Sequence, residues 1–129
     1  VHTPKDLIGA GIYGQNQPVL CSEVVNFVSE CRCFVRYDKI LDVRHYRGDW
    51  RLRPDPATIE KAVRNFSSAP AGYTIDFGLT DKGETLLIEV NDGYSLGCYG
   101  LLYLDYAKLL SARWAELTGT TDECAFDIF

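Results

Sequence analysis

The sequence predicts an α+β fold, an antiparallel sheet with flanking helices. Two pairs of strand-like segments are separated by one helical segment and followed by another. The first pair spans residues 29–36 and 40–46, and the second spans residues 73–79 and 84–91. Because a short turn joins strands that run in opposite directions, each pair is expected to form a hairpin.

A single globular domain is predicted for residues 1–129, because length and composition are ordinary. The chain has 129 residues, of which 47% are hydrophobic and 24% are charged, as in one folded domain. Residues 1–20 predict an irregular lead-in with a short strand around Val19 and Leu20, and residues 120–129 predict a tail. No apolar run approaches the ~20 residues of a membrane-spanning helix, so no membrane partner is expected.

The cysteine pattern argues against a zinc site and favours a reducing, cytoplasmic setting. Five Cys and two His are present, without a CxxC pair. Cys31 and Cys33 lie two apart in a strand, so both are expected to face the same side as small buried residues. The chain begins at Val1 and contains no Met, which predicts a processed or excised piece of a longer protein.

The net charge of −5 argues against a general nucleic-acid-binding protein. Residues 32–53 differ from the rest, with seven cationic side chains against three acidic ones. This basic run predicts either a solvated basic face or a local phosphate-binding patch.

In the first hairpin, residues of opposite character alternate along residues 29–36, as in a half-buried strand. Matching the apolar faces of the two strands sets Cys33 opposite Val43 and leaves a three-residue loop. In that register Arg32 lies opposite Arg44 on the polar face.

Helix signals follow each hairpin. Asp55 is the expected N-cap of the first helix, with Pro56 at its first position, and the helix is expected to end by residues 70–72. An apolar helix is predicted from about Leu101 to Leu117, and Gly119 is its expected stop.

The second hairpin separates apolar from polar side chains. Leu86, Ile88 and Val90 are expected to face the core, while Asp76, Glu89 and Asn91 share the opposite face. A two-residue or a four-residue turn gives this arrangement. A three-residue loop without a compensating bulge would split both faces.

Two carboxylates on neighbouring strands repel each other unless a positive charge lies between them. Mg²⁺ takes oxygen ligands, commonly one or two carboxylates plus phosphates and water. Asp76, Glu89 and Asn91 therefore suit a metal that bridges phosphates, although a simply hydrated polar face gives the same pattern. The position of Asp76 in a strand with little other charge favours the metal site, because Asp is a poor strand residue.

Other polar residues near this face have two interpretations each. Arg32 and Arg44 are candidates for binding phosphate oxygens through their planar N–H donors, or Arg32 forms surface ion pairs with Glu30 or Glu23. His45 is interpreted as a structural polar residue. Residues 91–97 either cradle an anion with backbone N–H groups or merely connect a strand to a helix.

The segment Leu87-Ile88-Glu89-Val90-Asn91, preceded by Asp76, resembles the ATP-grasp superfamily. The resemblance implies that Asp76, Glu89 and Asn91 hold Mg²⁺ (or Mn²⁺) at the phosphates of ATP, with Glu89 and Asn91 thereby cofactor-binding. Residues 29–35 are similar to a family strand with the pattern E-x-R-x-F-V, which implies that Arg32 contacts phosphate or an acyl-phosphate. Residues 22–25 and 92–97 resemble a poorly characterised branch, and the likeness covers about residues 18–117.

The implied reaction is ATP-dependent ligation of a carboxylate to an amine or a similar nucleophile through an acyl-phosphate. The substrate would be a small-molecule or peptide carboxylate, and Arg32 and Arg44 would be the catalytic cations. The family's phosphate-binding lysines and adenine-binding segment are expected upstream, in a missing N-terminal part of the domain. Lys5 is the candidate that remains in this chain, which is therefore expected to be inactive alone.

Two rival functions use the same residues. One is a metal-dependent nuclease, although such sites usually place Lys two residues after the Glu, where this chain has Asn91. The other is a non-catalytic interaction domain of the same fold.

Overall fold

The computed structural model describes residues 3–7, 18 and 21–126. A short 3₁₀ helix spans Pro4–Leu7. The main elements, in chain order, are strands β1 (Phe27–Arg36) and β2 (Lys39–Gly48), helix α1 (Pro56–Asn65), strands β3 (Gly72–Thr80) and β4 (Thr85–Asp92), and helix α2 (Tyr103–Thr118). The predicted strand around Val19 and Leu20 lies outside the described residues.

The four strands form one antiparallel sheet in the order β2-β1-β3-β4, which confirms the predicted fold class. Helix α1 packs on one face through Ile59 and Val63. Helix α2 packs on the other face, where Leu109 meets Phe34. The central strands β1 and β3 are therefore buried on both sides along most of their length. Within the described residues, no helix is both long and apolar enough to cross a lipid bilayer.

The first hairpin has the predicted register but not the predicted loop. Cys33 lies opposite Val43 and Arg32 lies opposite Arg44. The strands are joined by a two-residue turn of Tyr37 and Asp38, whose φ angles are 47° and 60°, as in the tight turns that match the sheet twist. A bulge between Phe34 and Val35 then restores the register, so the predicted three-residue loop is wrong.

The second hairpin contains the three-residue loop that was rejected without a bulge. Thr80 accepts a hydrogen bond from Gly83 N and donates its own N–H to Glu84 O, which leaves residues 81–83 as the loop. A bulge follows at Ile88, because Asp76 faces Glu89 whereas Phe77 faces Leu87. The bulge supplies the compensating residue and returns the acidic pair to one face.

The same bulge changes which leucine of β4 faces α1. Leu87 lies opposite Phe77 and lines an open apolar groove with Val90 and Phe66. Leu86 lies opposite Gly78 instead. The expectation that Leu86 faces the core and Leu87 the polar side is therefore wrong.

Both predicted helix signals operate. The carboxylate of Asp55 accepts hydrogen bonds from the backbone N–H groups of Ala57 and Thr58, and bonds from Thr58 lower the pKa of Asp55. Helix α1 ends at Asn65, earlier than the expected limit. Gly119 caps α2 with a φ of 65°, as predicted.

The predicted burial of the thiols is correct. Cys31 and Cys33 are both buried, and Cys33 joins the core under α1. Burial raises the pKa of Cys33 to about 12, so this thiol is held in its neutral, unreactive form at neutral pH.

Two glycines mark close approaches that tolerate no side chain. A Cβ on Gly72 would lie 2.4 Å from the backbone oxygen of Leu109, whereas a Cβ on Gly78 would lie 2.2 Å from the ring of Phe27. We expect Gly72→Ala and Gly78→Ala each to lower the free energy of unfolding by about 1–3 kcal/mol. Gly72→Ala should cost more, because a helix backbone moves less easily than a ring. Urea unfolding measures this, and equal losses would show that α2 shifts freely on the sheet.

The predicted tail is anchored by Asp122. Its carboxylate accepts hydrogen bonds from Ser111 Oγ at 2.6 Å and from Arg36 Nη2 at 2.7 Å. Burial disfavours the charged form, but these hydrogen bonds outweigh it and hold the pKa of Asp122 at about 2. Because this folded-state pKa lies below the unfolded value, the stabilisation is complete above about pH 5 and is lost as the pH falls from about 4 to 2.

Asp122→Asn should therefore remove about 2 kcal/mol of stability at pH 7, the scale of hydrogen bonds to a charged group. It should also flatten the dependence of stability on pH between about pH 4 and 2. Urea unfolding at several pH values measures both effects. An unchanged slope in the variant would contradict the assignment of this acid sensitivity to Asp122.

Candidate metal and phosphate site

The sheet brings the three predicted metal-binding residues onto one face. Asp76 on β3 lies directly opposite Glu89 on β4, and Asn91 lies opposite Thr74, two positions along the same face. Asn91 Nδ2 donates a hydrogen bond to Glu89 Oε1 at 3.0 Å. The arrangement depends on the Ile88 bulge, because without it Glu89 would point to the α1 side.

Asp76 is engaged by Arg32 from the neighbouring strand β1. The guanidinium donates Nε to Asp76 Oδ1 at 2.8 Å and Nη2 to Oδ2 at 2.7 Å. Arg32 is 6% exposed and Asp76 is 1% exposed, so the pair is a buried, bidentate ion pair. The hydrogen bond to Asp76 raises the pKa of Arg32. The expected surface pairing of Arg32 with Glu30 or Glu23 is wrong.

Glu89 differs from Asp76 in its exposure. Its side chain is 55% exposed, and its Oε1 lies 3.8 Å from Arg32 Nη2. One guanidinium therefore contacts both carboxylates. It supplies the positive charge that the repulsion between the two acids requires.

Two tyrosines that the sequence analysis missed enclose Arg32. Arg32 Cζ lies 4.6 Å from the ring centroid of Tyr99 and 6.0 Å from that of Tyr46, within cation–π range. The two ring centroids are 5.1 Å apart. Burial, followed by the nearby charge of Asp76, raises the pKa of Tyr46. No sequence pattern linked the tyrosines, since one lies on β2 and the other in the loop after β4.

Glu30 completes the surroundings of Arg32 without touching it. Its carboxylate accepts a hydrogen bond from Tyr46 OH at 3.0 Å and lies 3.2 Å from Arg47 Nη1. Glu30 thus fixes the hydroxyl of the tyrosine whose ring borders the guanidinium.

Arg44 shares the face of Arg32 but pairs elsewhere. It lies opposite Arg32, and its Nε is 2.7 Å from Asp42 Oδ2. Much of the basic run is neutralised in the same way. Its ion pairs are Arg32–Asp76, Arg36–Asp122, Arg44–Asp42, Arg47–Glu30 and Arg51–Asp49. The run is therefore not a continuous basic surface.

The loop after β4 is held by internal bonds. Gly93 N donates to Gly72 O, and Tyr94 N lies 3.3 Å from Asp92 Oδ1. Asp92 also accepts two hydrogen bonds from Arg113, which lower the pKa of Asp92. Because these N–H groups already have partners, the connection between strand and helix is favoured over an anion cradle.

The remaining candidates lie away from this face. His45 lies opposite Cys31, which places it on the α1 side of the sheet. Lys5 is exposed in the short N-terminal 3₁₀ helix.

The donor set fits a hard divalent cation. Because Asn91 uses its amide N–H₂ toward Glu89, its carbonyl oxygen remains available, and each carboxylate oxygen has a second lone pair. Across the described ranges, no group of three or more His, Cys, Asp or Glu side chains is placed to hold a metal. Two carboxylates and an amide oxygen suit Mg²⁺, which retains water and phosphate as its other ligands.

Comparison with known families agrees with this geometry. Residues 1–109 match the model of a family described as an ATP-grasp domain, the second family of its clade. The match covers 109 of the 129 residues and includes all of the predicted site residues. No curated protein matches the chain. The chain belongs to this family of ATP-grasp domains.

Proposed function

We propose that this chain is the metal- and phosphate-binding part of an ATP-dependent ligase. The reaction would join a carboxylate to an amine or similar nucleophile through an acyl-phosphate. One observation supports the proposal most strongly. Asp76, Glu89 and Asn91 share one face of the sheet, and a guanidinium that is able to bind phosphate lies between the two acids.

The residues would divide the work as follows. Asp76, Glu89 and Asn91 hold Mg²⁺ or Mn²⁺, which when bound neutralises charge on the phosphate oxygens. Arg32 donates its two parallel N–H groups to a phosphoryl or acyl-phosphate group. Arg44, on the neighbouring strand and the same face, supplies a second cation when it leaves Asp42.

The rest of the cleft is proposed to come from an upstream part of the domain, which supplies the adenine-binding segment and the phosphate-binding lysines. The substrate is proposed to be a small-molecule or peptide carboxylate. A reducing, cytoplasmic setting is proposed as well, since all five cysteines are free thiols and disulfides are rare in that setting.

Trapping of the acyl-phosphate tests the function directly. The full-length protein that contains residues 1–129 is incubated with Mg·ATP, hydroxylamine and pools of carboxylates. Hydroxamate and ADP should form together, and only with the pool that contains the substrate. Cleavage of DNA or RNA with Mg²⁺, without formation of ADP, would overturn the proposal in favour of the nuclease. Asn91 at the usual lysine position and the net charge of −5 favour the ligase.

A further inference from the structure

We propose that Arg32 blocks the metal site until a phosphate group replaces Asp76 as its partner. The inference rests on the proposed function, because it concerns the same site. Its basis is that one guanidinium lies 2.7 Å from Asp76 Oδ2 and 3.8 Å from Glu89 Oε1. Both acidic side chains of the metal site therefore already have a cation beside them.

A bare metal ion competes poorly with this pair. Both oxygens of Asp76 accept hydrogen bonds from Arg32, and both residues are buried. A guanidinium does not lose its proton in proteins, so the block cannot be removed by deprotonation. Moving Arg32 away from Asp76 would leave a buried cation without an anion, which is strongly unfavourable.

The tyrosines make the block stiffer. Tyr99 lies against the face of the guanidinium at 4.6 Å, while Asp76 holds its edge. Tyr46 contacts Tyr99 and is itself fixed by Glu30. Arg32 is thus held from two directions, and a ligand has to offer equal bonding to displace it.

A phosphate group offers that bonding. Its oxygens accept the same pair of N–H donors that Asp76 accepts, in the same planar geometry. Asp76 is then released to face a cation, and both buried charges keep a partner throughout. Metal and phosphate are therefore expected to bind cooperatively, each raising the affinity for the other by the same factor.

Binding of Mn²⁺ to this chain tests the block without any activity assay. Water-proton relaxation enhancement reports bound Mn²⁺, either alone or with inorganic pyrophosphate. The wild-type chain should bind Mn²⁺ with pyrophosphate much more tightly than Mn²⁺ alone. Arg32→Gln keeps an N–H donor beside Asp76 but removes the charge. It should bind bare Mn²⁺ on the order of tenfold more tightly and lose the effect of pyrophosphate.

Arg44→Gln is the matched control, because it removes a cation from the same face but contacts Asp42 instead. It should leave the binding of bare Mn²⁺ unchanged. Circular dichroism verifies that each variant is folded. If Arg32→Gln does not fold, the wild-type comparison decides alone, since tight binding of bare Mn²⁺ contradicts the block.

The possible failures are distinguishable. Wild-type chain that binds bare Mn²⁺ as tightly as Arg32→Gln overturns the block and leaves the proposed function intact. The same holds if wild type binds Mn²⁺ only with pyrophosphate while Arg32→Gln gains no affinity for the bare ion. Absence of Mn²⁺ binding in wild type and variant, with and without pyrophosphate, overturns the block together with the metal site on which the proposed function depends.

Discussion

Asp76→Ala is expected to lower the free energy of unfolding by about 3–5 kcal/mol, because it leaves a buried guanidinium without an anion. Arg32 is 6% exposed and donates two hydrogen bonds to Asp76, so water cannot replace the lost carboxylate. A typical domain has only about 5–15 kcal/mol of stability. Urea unfolding followed by circular dichroism should therefore show a much lower midpoint.

Two further variants separate the ion pair from the general effect of truncation. The double variant Arg32→Met with Asp76→Ala removes both charges and should recover most of the loss, as replaced buried pairs often do. Asp42→Ala removes the partner of Arg44 on the same sheet, where both side chains are partly exposed, and should cost less than about 1 kcal/mol. Equal losses for Asp76→Ala and Asp42→Ala would show that the pair is effectively solvated.

Glu89→Gln should reduce the rate of acyl-phosphate formation on the order of 100-fold or more, because it removes a charged metal ligand from the reacting phosphates. Stability should change by less than about 0.5 kcal/mol, as is usual for exposed positions, since the Glu89 side chain is 55% exposed. Hydroxamate formation measures the rate, and urea unfolding measures the stability.

Glu84→Gln is the control for charge, because it makes the same chemical change at an exposed position near the turn of the same hairpin. It should leave both rate and stability close to wild type. A full rate in Glu89→Gln would remove this residue from the metal site. A large loss of stability would assign it a structural role instead.

Much of the sheet could be predicted from local patterns. The pairs Arg32–Arg44 and Cys33–Val43 were predicted by matching apolar faces, although the turn is one residue shorter. The shared face of Asp76 and Glu89 was predicted for the same reason, although the loop has three residues. In each hairpin a bulge absorbs the difference, because burial of one face constrains register more strongly than turn length does.

The contacts that define the site could not be predicted in the same way. Arg32 meets Asp76 because β1 pairs with β3, and these strands are not consecutive in the chain. Strand patterning indicates which residues share a face but does not indicate which hairpins lie side by side. The contact of Tyr99 with Arg32 depends further on the path of the loop after β4. A signal existed only in the mutual need of two isolated charges, one cationic and one acidic, in otherwise apolar strands.

The central pairing of β1 with β3 also has a consequence for folding. The hydrogen bonds between Arg32 and Asp76 close a separation of 44 residues, and each hairpin contributes only one of the two partners. Neither hairpin alone can assemble the site, because one would present an unmatched cation and the other two repelling acids. Docking of the hairpins is thus the step that neutralises them, and non-local contacts of this kind form slowly. Nascent chains should consequently acquire ligand-binding ability only after the second hairpin has docked.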